Sequence, residues 1–185
     1  MTFAVALGAL SSFATAAVIG WPALSGQSTA TWAAGALIAL PLILIQTGAE
    51  EAVFRGYLLQ QLAARFRSPF AWAVVPSLLF GALHWSPDAP GGGLSYVVVT
   101  ATTGLVLALI AARLGGLSFV WGVHFGVNAW ALLFVAPQGY LSGLARAWWL
   151  IPDETLSRLV WFDLVWVLLG ALIAWIWLSG SPQDG

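Results

Sequence analysis

The stretch ALIALPLILIQTGAEEAVFR, residues 36–55, sets two adjacent carboxylates, Glu50 and Glu51, and a guanidinium, Arg55, at the end of a long apolar run. An ionisable group at bilayer depth costs at least about 2.5–3.5 kcal/mol on insertion scales, so such groups turn toward a bundle interior. The rest of the chain is of the same material. Of its 185 residues 61% are hydrophobic and only 7% are charged, with a mean hydropathy of +0.92. A soluble domain carries about 25% charged residues, and this chain has too few to cover a globular surface with groups that suit water. The bilayer is the solvent that fits it.

Working outward from residues 36–55, six apolar segments approach the roughly 20 residues that a spanning helix needs. They run over about 2–24, 30–66, 69–85, 94–113, 117–136 and 159–178. The second is too long for one crossing unless its end emerges as an amphipathic piece carrying Arg55, Gln60, Gln61, Arg65 and Arg67. Residues 138–157 are mixed, and Trp148 and Trp149 mark them as interfacial. The first segment contains Ala14-Thr15-Ala16, which looks like a cleavage site. It lacks the basic start of a signal peptide, so a retained helix is expected. The expected fold class is an all-α membrane protein, a bundle of about six transmembrane helices with a polar site inside, organised as one domain over 1–185 with its motif-bearing core at 46–128. If the crossings alternate, Arg65, Arg67 and Arg113 share a side with the N-terminus, while Arg146 and Arg158 lie opposite beside Asp153 and Glu154. That bias favours both termini in the cytoplasm.

Composition also excludes. There is no Cys, so disulfides and thiolate metal sites are ruled out, and a formal net charge of −1 gives no reason to expect a nucleic-acid partner. Twelve Trp fit the headgroup zone, where the ring is half apolar and its N–H reaches polar groups.

Both histidines, His84 and His124, lie within apolar segments, as do Glu50, Glu51, Arg55 and Asn128; Asp163 stands near the start of the sixth. Glu50 lies fifteen residues before Arg65 and His84 fifteen after Pro69, each about 22 Å from that end at about 1.5 Å per residue. His124, nine residues after Gly115, lies about 13 Å in. Three segments thus bring polar side chains to broadly similar depth. Glu51 and Arg55 are four apart and can pair on one face, while Glu50 is rotated by about 100° toward another partner. Phe80 with His84, and His124 with Asn128, also share faces. Gly48, Ala49, Gly81, Ala82, Gly122 and Gly126 allow close helix approach or leave room for a ligand. Taken singly, each group has an ordinary structural use: a buried ion pair, a packed imidazole, an amide joining helices, an interfacial Asp163. Together they hold most of the membrane-embedded polarity.

Glu-Glu-x-x-x-Arg at 50–55, Phe-x-x-x-His at 80–84 and His-x-x-x-Asn at 124–128, in that order and one per segment, resemble the CPBP family, also called the CAAX protease and bacteriocin-processing, or Abi, family. The resemblance covers about 46–128, and no motif position departs from it. It implies an intramembrane endopeptidase acting on a membrane-associated protein or peptide, with prenylated CAAX tails suggested by the family name, in a bacterial or archaeal plasma membrane. It also implies roles. Glu50 is the general base on a water that His84 holds and polarises, His124 and Asn128 stabilise the oxyanion, and Glu51 with Arg55 orients its helix. Two Glu and two His are also plausible zinc ligands, and a zinc site would use Glu50, His84 and His124. No His-Glu-x-x-His helix is present, however, and the resemblance favours a metal-independent glutamate mechanism with no cofactor. Two other classes fit the same residues less closely. One is a non-proteolytic scaffold or chaperone that binds another membrane protein, a pigment or a lipid; the other is a proton or ion transporter.

Overall fold

A computed structural model of the chain describes residues 2–89, 93–150 and 153–180. Residues 90–92 of the glycine-rich loop and the polar tail from 181 lie outside the described residues. Among those described, the chain winds into six helical rods. The first is α1 (Thr2–Ile19). The second is α2 (Thr29–Glu51), continued by a π-helical stretch, Ala52–Leu58, and by α3 (Leu59–Ala63). The third is a π-helical turn, Phe70–Val74, leading into α4 (Val75–Ala82). The last three are α5 (Leu94–Leu114), α6 (Ser118–Leu133) and α7 (Asp153–Gly180). The rods Thr29–Ala63 and Leu94–Leu114 are long and apolar enough to cross a membrane; the others carry shorter apolar stretches.

The overlong second segment is therefore one rod of 35 residues. Ser28 caps its start, its hydroxyl accepting from Thr31 N at 3.0 Å. At about 1.5 Å per residue the rod outruns a hydrocarbon core of roughly 30 Å. Its far end carries exposed Gln60 and Gln61, and Arg65 donates back to the Gln61 carbonyl at 2.8 Å. Arg55, expected in the same emergent piece, is buried instead because it pairs with Glu51 inside the bundle.

One element was not anticipated among helices. Three very short strands, β1 (Ala23–Leu24), β2 (Val135–Pro137) and β3 (Ala147–Trp149), form a sheet in the order β1-β3-β2. The β1–β3 pair is antiparallel, Ala23 facing Trp148, and the β2–β3 pair parallel, Val135 facing Ala147. The sheet ties the end of α1 to the end of α6 and takes up part of the mixed stretch 138–157, whose last residues, from Asp153, begin α7 rather than an interfacial piece. Its tryptophans are pinned to backbone: Trp149 Nε1 donates to the Gly20 carbonyl at 3.1 Å and Trp148 Nε1 to that of Ser142 at 3.0 Å. At the same end, Trp32 Nε1 donates to the Leu133 carbonyl at 2.8 Å, and Arg146 donates to that of Gln27 at 2.8 Å. An amphipathic ring supplies apolar area and one donor, which suits the place where a bundle meets its polar boundary.

The distribution of polarity is that of a bilayer-embedded chain. Leu37, Ile38, Leu42 and Ile45 of α2, Leu78 and Leu79 of α4, and Leu168, Leu172, Trp175 and Ile176 of α7 face outward. Thr47, Glu51, Arg55, Ser77 and His124 face inward. In lipid the hydrophobic effect does not draw helices together, so close packing of small residues must do it. Ala36, Ala39, Ile43 and Ala129 fill the α2–α6 contact, and Leu107, Ala111 and Val120 the α5–α6 contact. The closest approach is α4 on α5 at Gly81, where a methyl group would come within 2.6 Å of both Ala101 Cβ and the Val97 carbonyl oxygen. Replacing Gly81 by Ala is expected to force these rods apart and destabilise the fold by about 1–3 kcal/mol. The check is thermal unfolding in detergent; an unchanged midpoint would mean that the two helices are not this close.

Candidate active site

Glu51 is the last residue of α2 before the backbone widens into the π-helical stretch that carries Arg55. Such stretches are uncommon and concentrate where a helix must present particular side chains. Here Arg55 Nη1 donates to Glu51 Oε1 at 2.9 Å, and Nη2 donates to the Gly104 carbonyl of α5 at 2.9 Å. The guanidinium lies over the Phe80 ring of α4, 4.8 Å from its centroid. Gly104 makes this possible, because a Cβ there would press on Phe80 at 3.2 Å and on Arg55 Nη2 at 3.4 Å.

The second partner of Glu51 comes from α6. His124 Nδ1 lies 2.8 Å from the same Oε1. An ionised carboxylate only accepts, so Nδ1 carries the proton and donates. That fixes the ring and turns Nε2 toward Glu50 Oε2, 3.5 Å away. With a proton on Nε2 as well, the cluster carries two positive and two negative charges, the neutral sum that a low-dielectric interior requires. The two carboxylates differ in access: the side chain of Glu51 is 1% exposed, that of Glu50 26%. Glu50 Oε2 is itself buried, without a hydrogen-bond partner in the chain, and the exposed edge of the carboxylate is Oε1, which accepts from Gln46 Nε2. Gln46 Oε1 in turn accepts from Asn128 Nδ2 at 3.4 Å.

Of the residues singled out by sequence, Glu50, Glu51, Arg55 and His124 are brought into direct contact, and Asn128 joins through Gln46. His84 stands one ring away. Its Nδ1 is 2.7 Å from the Phe80 carbonyl, so it donates there and Nε2 is left as the ring's acceptor. Phe80 lies against His84 at a tilt of 55°, ring centroids 4.7 Å apart, and meets the edge of His124 at 5.9 Å. Among the described residues no carboxylate lies within 4 Å of His84, and the aromatic neighbour beyond it is Tyr96, at 6.5 Å. Asp163 is exposed on α7 and takes no ion-pair partner among the described residues.

The zinc alternative does not fit this arrangement. The set named from sequence, Glu50, His84 and His124, is not gathered: Glu50 faces Nε2 of His124, while His84 stands beyond the Phe80 ring with Nδ1 at the Phe80 carbonyl. Among the described residues no three His, Asp or Glu side chains converge as a metal-binding set.

Two participants were not foreseen. Gln46 did have a signal, an amide one helical turn before Glu50 in an otherwise apolar run. The Gly104 carbonyl had none, because a backbone oxygen leaves no mark in residue type.

The model of the type II CAAX prenyl endopeptidase Rce1-like family matches residues 29–130, just over half of the chain and all three motifs. The chain belongs to this family. Rce1-like proteins are membrane-embedded, their family is a protease family, and it acts on membrane-associated protein substrates. The chain is also similar to "Uncharacterized protein YyaK" of Bacillus subtilis (strain 168), with 31% identity over 106 residues. That alignment takes in 57% of the Rce1-like chain and 36% of the Bacillus protein, so the chain spans about a third of that relative's length. No solved structure matches it.

The buried ion pair is testable apart from any activity. Arg55→Met strips the cation from a sealed carboxylate and is expected to destabilise the protein by about 3–5 kcal/mol. The double variant Glu51→Gln/Arg55→Met, which removes both charges, is expected to recover part of that loss. Unfolding of the three proteins in the same detergent compares them, and a double variant less stable than Arg55→Met would contradict the pairing.

Proposed function

We propose that this Rce1-like chain is an intramembrane endopeptidase of the CAAX type, cleaving a membrane-associated protein or peptide with a water activated by Glu50. The observation that carries this reading is the contrast between the two carboxylates. Glu51 is sealed, its Oε1 holding both Arg55 and His124, while the Glu50 side chain is 26% exposed and its Oε1 edge can be reached by water.

In the reaction Glu50 takes a proton from water as the water oxygen attacks the scissile carbonyl carbon. The oxyanion that forms needs donors. His124 Nε2 and the second amide hydrogen of Asn128 are candidates, since the 3.5 Å gap to Glu50 leaves Nε2 short of a formed hydrogen bond. Contacts of this kind are long in unliganded sites and tighten around substrate. Collapse of the intermediate breaks the peptide C–N bond, and the leaving amine takes the proton back from Glu50. His84, its Nδ1 tied to the Phe80 carbonyl, presents Nε2 as an acceptor that orients water. No step uses a metal.

The same reading makes the chain one multi-pass domain over 1–185, its six rods alternating across a bacterial or archaeal plasma membrane with both termini in the cytoplasm. The short connections at 64–69 and 115–117 and the gathering of β1, β2 and β3 at one end support alternation.

Replacing Glu50 by Gln keeps the shape and removes the base. Turnover of a cleavable peptide in lipid is expected to fall by about 10²–10⁴-fold, with the unfolding midpoint unchanged. Cleavage by the unsubstituted protein is expected to survive a strong chelator. If the protein cleaves no member of a peptide library yet copurifies with a tightly bound membrane partner that Glu50→Gln retains, a scaffold role replaces this one.

A further inference from the structure

Gln46 is the one strongly polar side chain on the outward stripe of α2 that also carries Leu42 and Ile45. A primary amide there costs free energy that a Leu would not. Its bonds run in two directions. Nε2 donates to Glu50 Oε1, one turn along the same helix, and Oε1 accepts from Asn128 Nδ2 of α6. The contact with Glu50 lies on the exposed side of the carboxylate. On the other side, His124 approaches Oε2 only to 3.5 Å.

A glutamate side chain has three rotatable bonds, and one loose contact does not fix its plane. A donor on Oε1 together with an imidazole facing Oε2 does. A carboxylate oxygen has two lone pairs, so Oε1 can hold the Gln46 amide and still accept from a water. Given the proposed peptidase reading, on which this rests, we infer that Gln46 is a positioning residue for Glu50, and that Asn128 acts on Glu50 through Gln46 in addition to any donation to substrate. α6 therefore governs the base on α2 at both carboxylate oxygens, through His124 at one and through Asn128 and Gln46 at the other.

The two routes for Asn128 differ in how substitutions combine. If Asn128 works through Gln46, removing either breaks one link. If Asn128 only stabilises the oxyanion, the losses multiply. The near-isosteric variants Gln46→Met and Asn128→Leu, and their double, are compared by peptide cleavage in lipid. Gln46→Met is expected to lower kcat by about 10–100-fold, by analogy with the loss when a partner that orients a metal ligand is removed, with KM within about twofold. Adding Asn128→Leu to Gln46→Met is expected to cost much less than Asn128→Leu costs alone. An unchanged kcat in Gln46→Met, or fully multiplicative losses, would overturn the inference.

A second measurement does not need turnover. In protein labelled with ¹⁵N at glutamine, the side-chain amide signals of Gln46 are identified by their loss in Gln46→Met. Both Glu50→Ala and Asn128→Leu are expected to move them. Signals that stay put in both variants overturn the link even in an active peptidase. Signals that move in a protein that cleaves nothing remove the peptidase reading and with it the positioning role, so the two failures are told apart.

Discussion

A guanidinium and a carboxylate, Arg55 and Glu51, are buried together inside the helical bundle, and much else is arranged to make that tolerable. An ion pair in a low-dielectric interior is stable only when its geometry is good and its remaining donors are used. Arg55 meets the condition by donating to Glu51 and to the Gly104 carbonyl while resting on the Phe80 ring. Each contact comes from a different rod, so the pair joins the second, third and fourth rods at one point. The absence of a side chain at Gly104 and the small size of Gly81 let those rods close around it.

The same pair orders the rest of the cluster. Because Glu51 is held by Arg55, it can hold His124 in turn, and the orientation of that imidazole determines what faces Glu50. The order runs from the sealed interior outward: guanidinium, carboxylate, imidazole, second carboxylate, amide. Exposure increases along it, from side chains that water does not reach to a Gln46 on the bundle's outer stripe. A cluster graded in this way seals its ion pair inside and leaves the Glu50 carboxylate partly open at the rim.

Much of this was legible in the residues. The excess of apolar over charged side chains gave the solvent, the lengths of the apolar runs gave six rods, and the spacing of Glu51 and Arg55 gave their pairing. Membership of the Rce1-like family agrees with the three ordered motifs that suggested it. Less legible were the small sheet and the place of His84. The strands β1, β2 and β3 are two or three residues long, too short for any alternation of polarity to register. His84 lies at the depth of Glu50 by residue count, but where its ring points was not legible: α4 ends at Ala82 and the imidazole turns back to the Phe80 carbonyl.

Sequence alone determined which groups must be inside, because an ionisable side chain within an apolar helix has a large cost unless it meets a partner, whatever the fold. It also determined the pairs that lie on a single helix, since a spacing of four residues brings two side chains together without help from the rest of the chain. Only the tertiary structure decided the pairs between helices: His124 between Glu51 and Glu50, Asn128 with Gln46, Arg55 with a backbone carbonyl on α5. Those depend on the rotation and height of one rod against another, which are set by the packing of small residues such as Gly81, Gly104 and Ala129, and no local pattern encodes them.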